Sequence, residues 1–179
     1  LRYHVREWGV EGAPKIFLLH GWMDVSASFQ FIVDELQADW HVIAPDWRGF
    51  GLTEWHRDSY WVPDYFADLD AILRALVPDG QVSLIGHSMG GNVACHYAGV
   101  RPARVARLIA LDAFGLAESD PQQSPERFEK WLNELESGVR FRGYPDRLAL
   151  AARLRADNPR LTEEKAAFLA GHLGEPDGQ

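Results

Sequence analysis

The first two thirds of the chain alternate between short apolar runs and amphipathic helical patterns, the signature of a parallel sheet joined by crossover helices. Lys15 to His20 (KIFLLH) is a nearly unbroken apolar run, as expected of a strand covered on both faces. A helix pattern follows, with Ser26 or Ser28 as cap and Phe29, Ile32, Val33 and Leu36 on one face. His41 to Trp47 (HVIAPDW) predicts the next strand. After a loop rich in Gly and Trp, a helix opening near Pro63 buries Phe66, Leu69, Ile72, Leu73 and Leu76. A strand at Val82 to Gly86, a helix from Met89 to Val100 and a strand at Val105 to Leu111 complete the alternation. Right-handed crossovers place these helices on both faces of the sheet.

The pattern changes after Leu116, where only helical periodicity remains. Ser124-Pro125-Glu126 opens a helix with Phe128, Trp131, Leu132 and Leu135 on one stripe. A second opens at Pro145, with Leu148, Ala151, Ala152 and Leu154 inward, and a third near Thr162-Glu163-Glu164. The expected architecture is a doubly wound, mostly parallel α/β sheet over residues 1–116, with a helical cap over residues 117–179 that covers the sheet's carboxyl edge.

Composition narrows the function classes. The chain has 179 residues and a net charge of −8, and its basic residues are dispersed. A nucleic-acid surface needs a basic face to meet phosphates, so none is expected. Arg101, Arg104 and Arg107 fit a solvated helix-to-strand turn. No apolar run approaches the roughly 18 residues that span a bilayer. A single cysteine, Cys95, excludes an intrachain disulfide and the usual structural zinc patterns, which favours a cytoplasmic setting. Cys95 is expected to pack as a small apolar group.

The sharpest chemical signal is Gly86-His87-Ser88-Met89-Gly90-Gly91. A random chain of this length shows G-x-S-x-G roughly once in twenty, so its position decides its meaning. Here it follows an apolar strand and opens a helix, where a nucleophile elbow must sit. Ser88 is the expected nucleophile, and the glycines let strand and helix approach closely. His20-Gly21-Trp22 ends the first apolar strand. An acyl-transfer enzyme needs two backbone N–H donors for its oxyanion, and Trp22 and Met89 are placed to supply them. His20, Gly21 and His87 are the expected substrate-contacting neighbours, with His20 a structural residue of the loop and no base. Trp47, Trp55 and Trp61 either line an apolar site or pack beneath the cap. Asp68 and Asp70 read as the polar face of a helix.

HGW at 20–22, PDWRGFGLT at 45–53 and GHSMGG at 86–91 resemble the α/β-hydrolase superfamily, in the branch of small esterases, C–C bond hydrolases, haloperoxidase-like enzymes and epoxide hydrolases. The likeness covers residues 1–116. It implies a serine hydrolase of carboxylic esters or related acyl substrates, needing no metal or organic cofactor. A C–C bond hydrolase or an inactive small-molecule binder are the alternatives. Epoxide hydrolases and haloalkane dehalogenases of this branch carry aspartate where Ser88 stands. The resemblance gives Asp46 and Arg48 a loop-building role and makes Asp112, at the end of the last strand, a candidate acid. The family's histidine follows the last strand. After Ser88 this chain has only His96, within the elbow's own helix, and His172, within the expected cap. The base is therefore expected outside these residues, as are two further strands. The strand edge left open invites self-association.

Overall fold

A computed structural model describes residues 1–179 apart from 38, 56–59, 114, 116, 117, 119, 138–142 and 175–179. The expected boundary between core and cap, at 116 and 117, lies outside the described residues.

Strands β1 (Val5–Gly9), β2 (Lys15–Leu19), β3 (His41–Pro45), β4 (Val82–His87) and β5 (Val105–Leu111) form one sheet in the order β1-β3-β2-β4-β5. All neighbours are parallel except β1, which runs antiparallel to β3. The observed strands end within two residues of their expected limits. β1 was not expected. Its residues VREWG mix charge with apolar side chains, as befits an edge strand, and carry no continuous apolar run.

Helix α1 (Gln30–Val33) continues a 3₁₀ turn over Ser26–Phe29 and packs with it on one sheet face. There Phe29 meets Ile16, Leu18, Val42 and Ala44, with Ile32, Val33 and Leu36 beside them. The expected serine cap is corrected: Val25 is the N-cap, and no side chain caps the turn. Helices α2 (Val62–Leu76) and α3 (Met89–Val100) cover the other face. Tyr65, Leu69, Leu73, Val93 and Tyr97 close over Phe17, Leu19, Ile43 and Leu84. Phe17, Leu18 and Leu19 are fully buried, which explains why β2 reads as an unbroken apolar run.

Beyond β5 the described residues contain α4 (Ser124–Ser137), α5 (Arg147–Asp157) and α6 (Glu163–Leu173). Asp146 and Thr162 cap α5 and α6 by accepting from the Ala149 and Lys165 N–H groups. The two helices share a small core of Ala151, Ala166 and Ala170, flanked by Leu150, Leu154 and Leu161. Leu148 and Ala152 were expected inward but are exposed, because Asp146 as N-cap sets the phase and turns Leu150 inward instead. Phe168 of α6 packs edge-on against Phe31, at 5.3 Å between ring centroids, and joins this pair to the α1 side. The α4 stripe stays open: Phe128, Trp131, Leu132 and Leu135 are 49–63% exposed. No described helix is long and apolar enough to cross a membrane.

Candidate active site

The chain passes from β2 to β3 on one side and returns to β4 on the other, so the strand order reverses between β2 and β4. Open α/β sheets bind ligands outside the strand carboxyl ends at such a point. Leu19 pairs with Gly86 across it, which brings the turns that follow β2 and β4 together.

Ser88 stands alone between β4 and α3, with φ 48° and ψ −114°. A non-glycine residue in this region costs of order 1–3 kcal/mol and persists only where its surroundings hold it. Here the Ser88 N–H donates to the Leu111 carbonyl at 2.9 Å, and the Ser88 carbonyl accepts from the Asn92 N–H at 3.0 Å. The glycines are required by crowding. A Cβ on Gly86 would lie 2.5 Å from Gly91 Cα, and one on Gly90 would lie 2.6 Å from the His20 carbonyl oxygen. A Cβ on Gly91 would meet that of Ala113 at 2.5 Å.

Gly21 lies against this turn, where a Cβ would come within 3.3 Å of Ser88 Cβ and 3.1 Å of His87 Nδ1. Gly21 is buried, His87 and Met89 are half-buried, and Trp22 is 60% exposed. The Trp22 indole stands edge-on to Phe50 at 5.0 Å. Among the described residues the Trp22 N–H has no acceptor, and the Met89 N–H precedes the first intrahelical bond of α3. An unengaged donor thus follows Ser88 directly at Met89, and another follows Gly21 at Trp22. The next residue, Met23, has φ 55°. Asp24 secures the loop by accepting from the Val25 N–H at 2.9 Å and from the Ser28 hydroxyl.

His20 departs from the expectation of substrate contact. It is wholly buried, and both ring nitrogens are engaged. Nδ1 donates to the Gly21 carbonyl at 2.8 Å, and Nε2 accepts from the Trp47 N–H at 2.9 Å. Burial holds its pKa below the ordinary 6.5, so the ring is neutral. Trp47, also fully buried, donates its indole N–H to the His20 carbonyl at 2.9 Å. Trp55 and Trp61 are 59% and 70% exposed and do not pack in the core.

Asp46 builds the loop after β3. Its carboxylate accepts from the Ser26 N–H at 2.6 Å and the Leu52 N–H at 3.0 Å, and lies 2.8 Å from His4 Nδ1. Burial opposes its charge, yet the Leu52 and Ser26 N–H groups outweigh burial and hold its pKa below the usual value. Arg48 binds Asp68 through two contacts, Nε–Oδ2 at 2.5 Å and Nη2–Oδ1 at 2.6 Å. Asp68 is therefore no solvated helix face but a buried ion-pair partner. Asp70, by contrast, accepts from the Tyr97 hydroxyl at 3.1 Å and faces Arg74 and Arg101 near the surface.

Asp112 is exposed, with φ 49°, directly after Leu111, whose carbonyl holds Ser88. Among the described residues its carboxylate accepts no hydrogen bond, and no histidine bonds to it or to Ser88. His96 Nδ1 donates to the Asn92 carbonyl and its ring stacks on Phe66. His172 Nδ1 donates to the Phe168 carbonyl. Cys95 is exposed and not packed, since it lies on the outer side of α3. Asp24 and Phe50, which shape the loop beside Ser88, were missed from sequence. An aspartate just before a helical turn was the available signal for the first; Phe50 had none.

A doubly wound sheet with a serine elbow at its switch point defines a hydrolase-type α/β architecture. Residues 14–169 match the family of the alpha/beta hydrolase fold, and the chain belongs to it. It is 32% identical over 170 residues to a serine hydrolase-like protein of Danio rerio, covering 90% of this chain and 52% of that one. It is 29% identical to a 3-hydroxybutyrate-oligomer hydrolase of Cupriavidus necator, covering 92% and 54%. Among solved structures, a thioesterase domain from the curacin biosynthetic pathway superposes with a TM-score of 0.87 at 27% identity, covering 98% of this chain and 65% of that one. The chain spans about half the length of these curated relatives.

Proposed function

We propose that this protein is a serine hydrolase of carboxylic esters or related acyl substrates, with Ser88 as nucleophile. The observation that carries this reading is the strained Ser88 turn, with Gly21 packed on it and unengaged N–H groups at Met89 and Trp22. Strain of this kind is kept where it serves a site. Ser88 Oγ attacks the acyl carbon, and the Trp22 and Met89 N–H groups receive the negative charge that forms on the carbonyl oxygen. His87 borders the substrate. Asp112 is the acid, and neither His96 nor His172 serves as the base, because both are turned to their own helices. The α5–α6 pair, attached through Phe31, belongs to a cap over the substrate.

The test is labelling by a fluorophosphonate probe and hydrolysis of p-nitrophenyl acetate, by the full gene product and by its Ser88→Ala form. Labelling at Ser88 and turnover that vanish together in Ser88→Ala are expected. Turnover that survives this substitution would overturn the reading.

A further inference from the structure

We infer that His20 is a positioning residue which locks the Gly21–Trp22 peptide so that the Trp22 N–H faces the oxyanion; this rests on the serine-hydrolase reading. The Gly21 carbonyl and the Trp22 N–H belong to one peptide unit, and the chain has no cis peptide bond. In a trans unit the two groups point in opposite directions. Whatever holds the carbonyl on one side therefore aims the N–H to the other. His20 Nδ1 holds that carbonyl at 2.8 Å in the interior. Gly21 itself borders the serine turn, where a Cβ on it would lie 3.3 Å from Ser88 Cβ.

The lock is itself oriented. The Trp47 N–H donates to Nε2, so Nε2 carries no proton, and the neutral ring must carry its proton on Nδ1. That is the tautomer needed to donate to Gly21. The Trp47 indole fixes the His20 backbone carbonyl from the same side, and Phe50 stands edge-on to the imidazole at 5.7 Å. Ring, carbonyl and peptide plane are set by one buried tryptophan. Met23, one residue on, lies in the left-handed region within the turn that follows.

The two ring nitrogens can be separated by substitution. In His20→Asn the side-chain amide N–H stands near Nδ1 and keeps the Gly21 link, while the Trp47 link is lost. In His20→Gln the amide reaches toward Nε2, keeps the Trp47 N–H and loses Gly21. In the full gene product, His20→Gln is expected to lose about 10²-fold in kcat with KM unchanged, the effect of removing one oxyanion donor. His20→Asn should stay within a few-fold of wild type. The Trp22 amide resonance should move in His20→Gln and hold its place in His20→Asn. Equal kcat in the two variants, or an unmoved Trp22 resonance in His20→Gln, overturns the lock. A wild type that is neither labelled nor active, while the Trp22 resonance still responds to His20→Gln, overturns the hydrolase reading and leaves the lock standing. Should His20→Gln not fold, the imidazole ¹⁵N shifts of wild type decide, and a proton on Nε2 overturns the proposal.

Discussion

A methyl carbon added at Gly51 would come 2.5 Å from Asp46 Cγ, on backbone with φ 52°. Asp46 occupies that space because it is tied to Ser26, Leu52 and His4 at once. Gly51→Ala should therefore lower stability by roughly 1–3 kcal/mol for backbone strain alone, read from the urea midpoint. A loss within error would show that the loop relaxes freely. His20 gives a second prediction. Its pKa is lowered on folding, so below about 6.5 the unfolded chain binds a proton that the folded chain refuses. Stability should thus rise with pH through that region and fall below it. Asp46 is also lowered, but its contribution is lost only as pH drops below 3.8. The urea midpoint should decline between neutral pH and pH 5 in wild type and less so in His20→Asn; parallel profiles would contradict the assignment. Glycine and serine positions at the elbow were legible because steric need writes itself into residue type. His20's engagement was not, since it depends on Trp47, which is distant in sequence and reaches it only through the sheet.

Helix α2 shows how one element ties a motif loop to the core. Asp64 and Asp68, one turn apart, both face Arg48, and the Arg48 side chain is only 15% exposed. Removing Asp68 deletes two charge-assisted hydrogen bonds to Arg48, a loss of about 1.5–3 kcal/mol, while Asp64 remains as a counter-charge. Asp68→Ala should approach that loss. Asp70→Ala should stay near or below about 1 kcal/mol, because Arg74 and Arg101 are 67% and 59% exposed. Thermal unfolding of the two variants measures the difference, and similar losses would refute the distinction. The apolar periodicity of α2 was plain from sequence, yet Asp68 looked like its polar face. Periodicity cannot show that a charge is buried when its partner sits twenty residues away. In α4 the stripe was equally plain, but amphipathicity states only that a face wants covering. Nothing in Phe128, Trp131, Leu132 or Leu135 says what covers it.

At the scale of the molecule, β5 is the outer strand of the sheet, and Ile109 and Leu111 are 52% and 37% exposed. An apolar open edge pairs readily with another chain. The 179-residue chain should self-associate as its concentration rises in sedimentation velocity, and Ile109→Lys should shift it toward monomer. A monomer at every concentration would speak against the edge as a contact. The positions of β2 to β5 along the chain were legible as short apolar runs, whereas β1 leans on β3 and shows no such run. The Ser88 N–H ends on the Leu111 carbonyl, at the tip of that outer strand. Amide hydrogen exchange therefore couples two places that differ in kind: the Ser88 amide can open to solvent whenever β5 frays. Its protection should track that of the β5 amides and slow when another strand lies against them, so the rigidity of the serine turn is decided at the rim of the sheet.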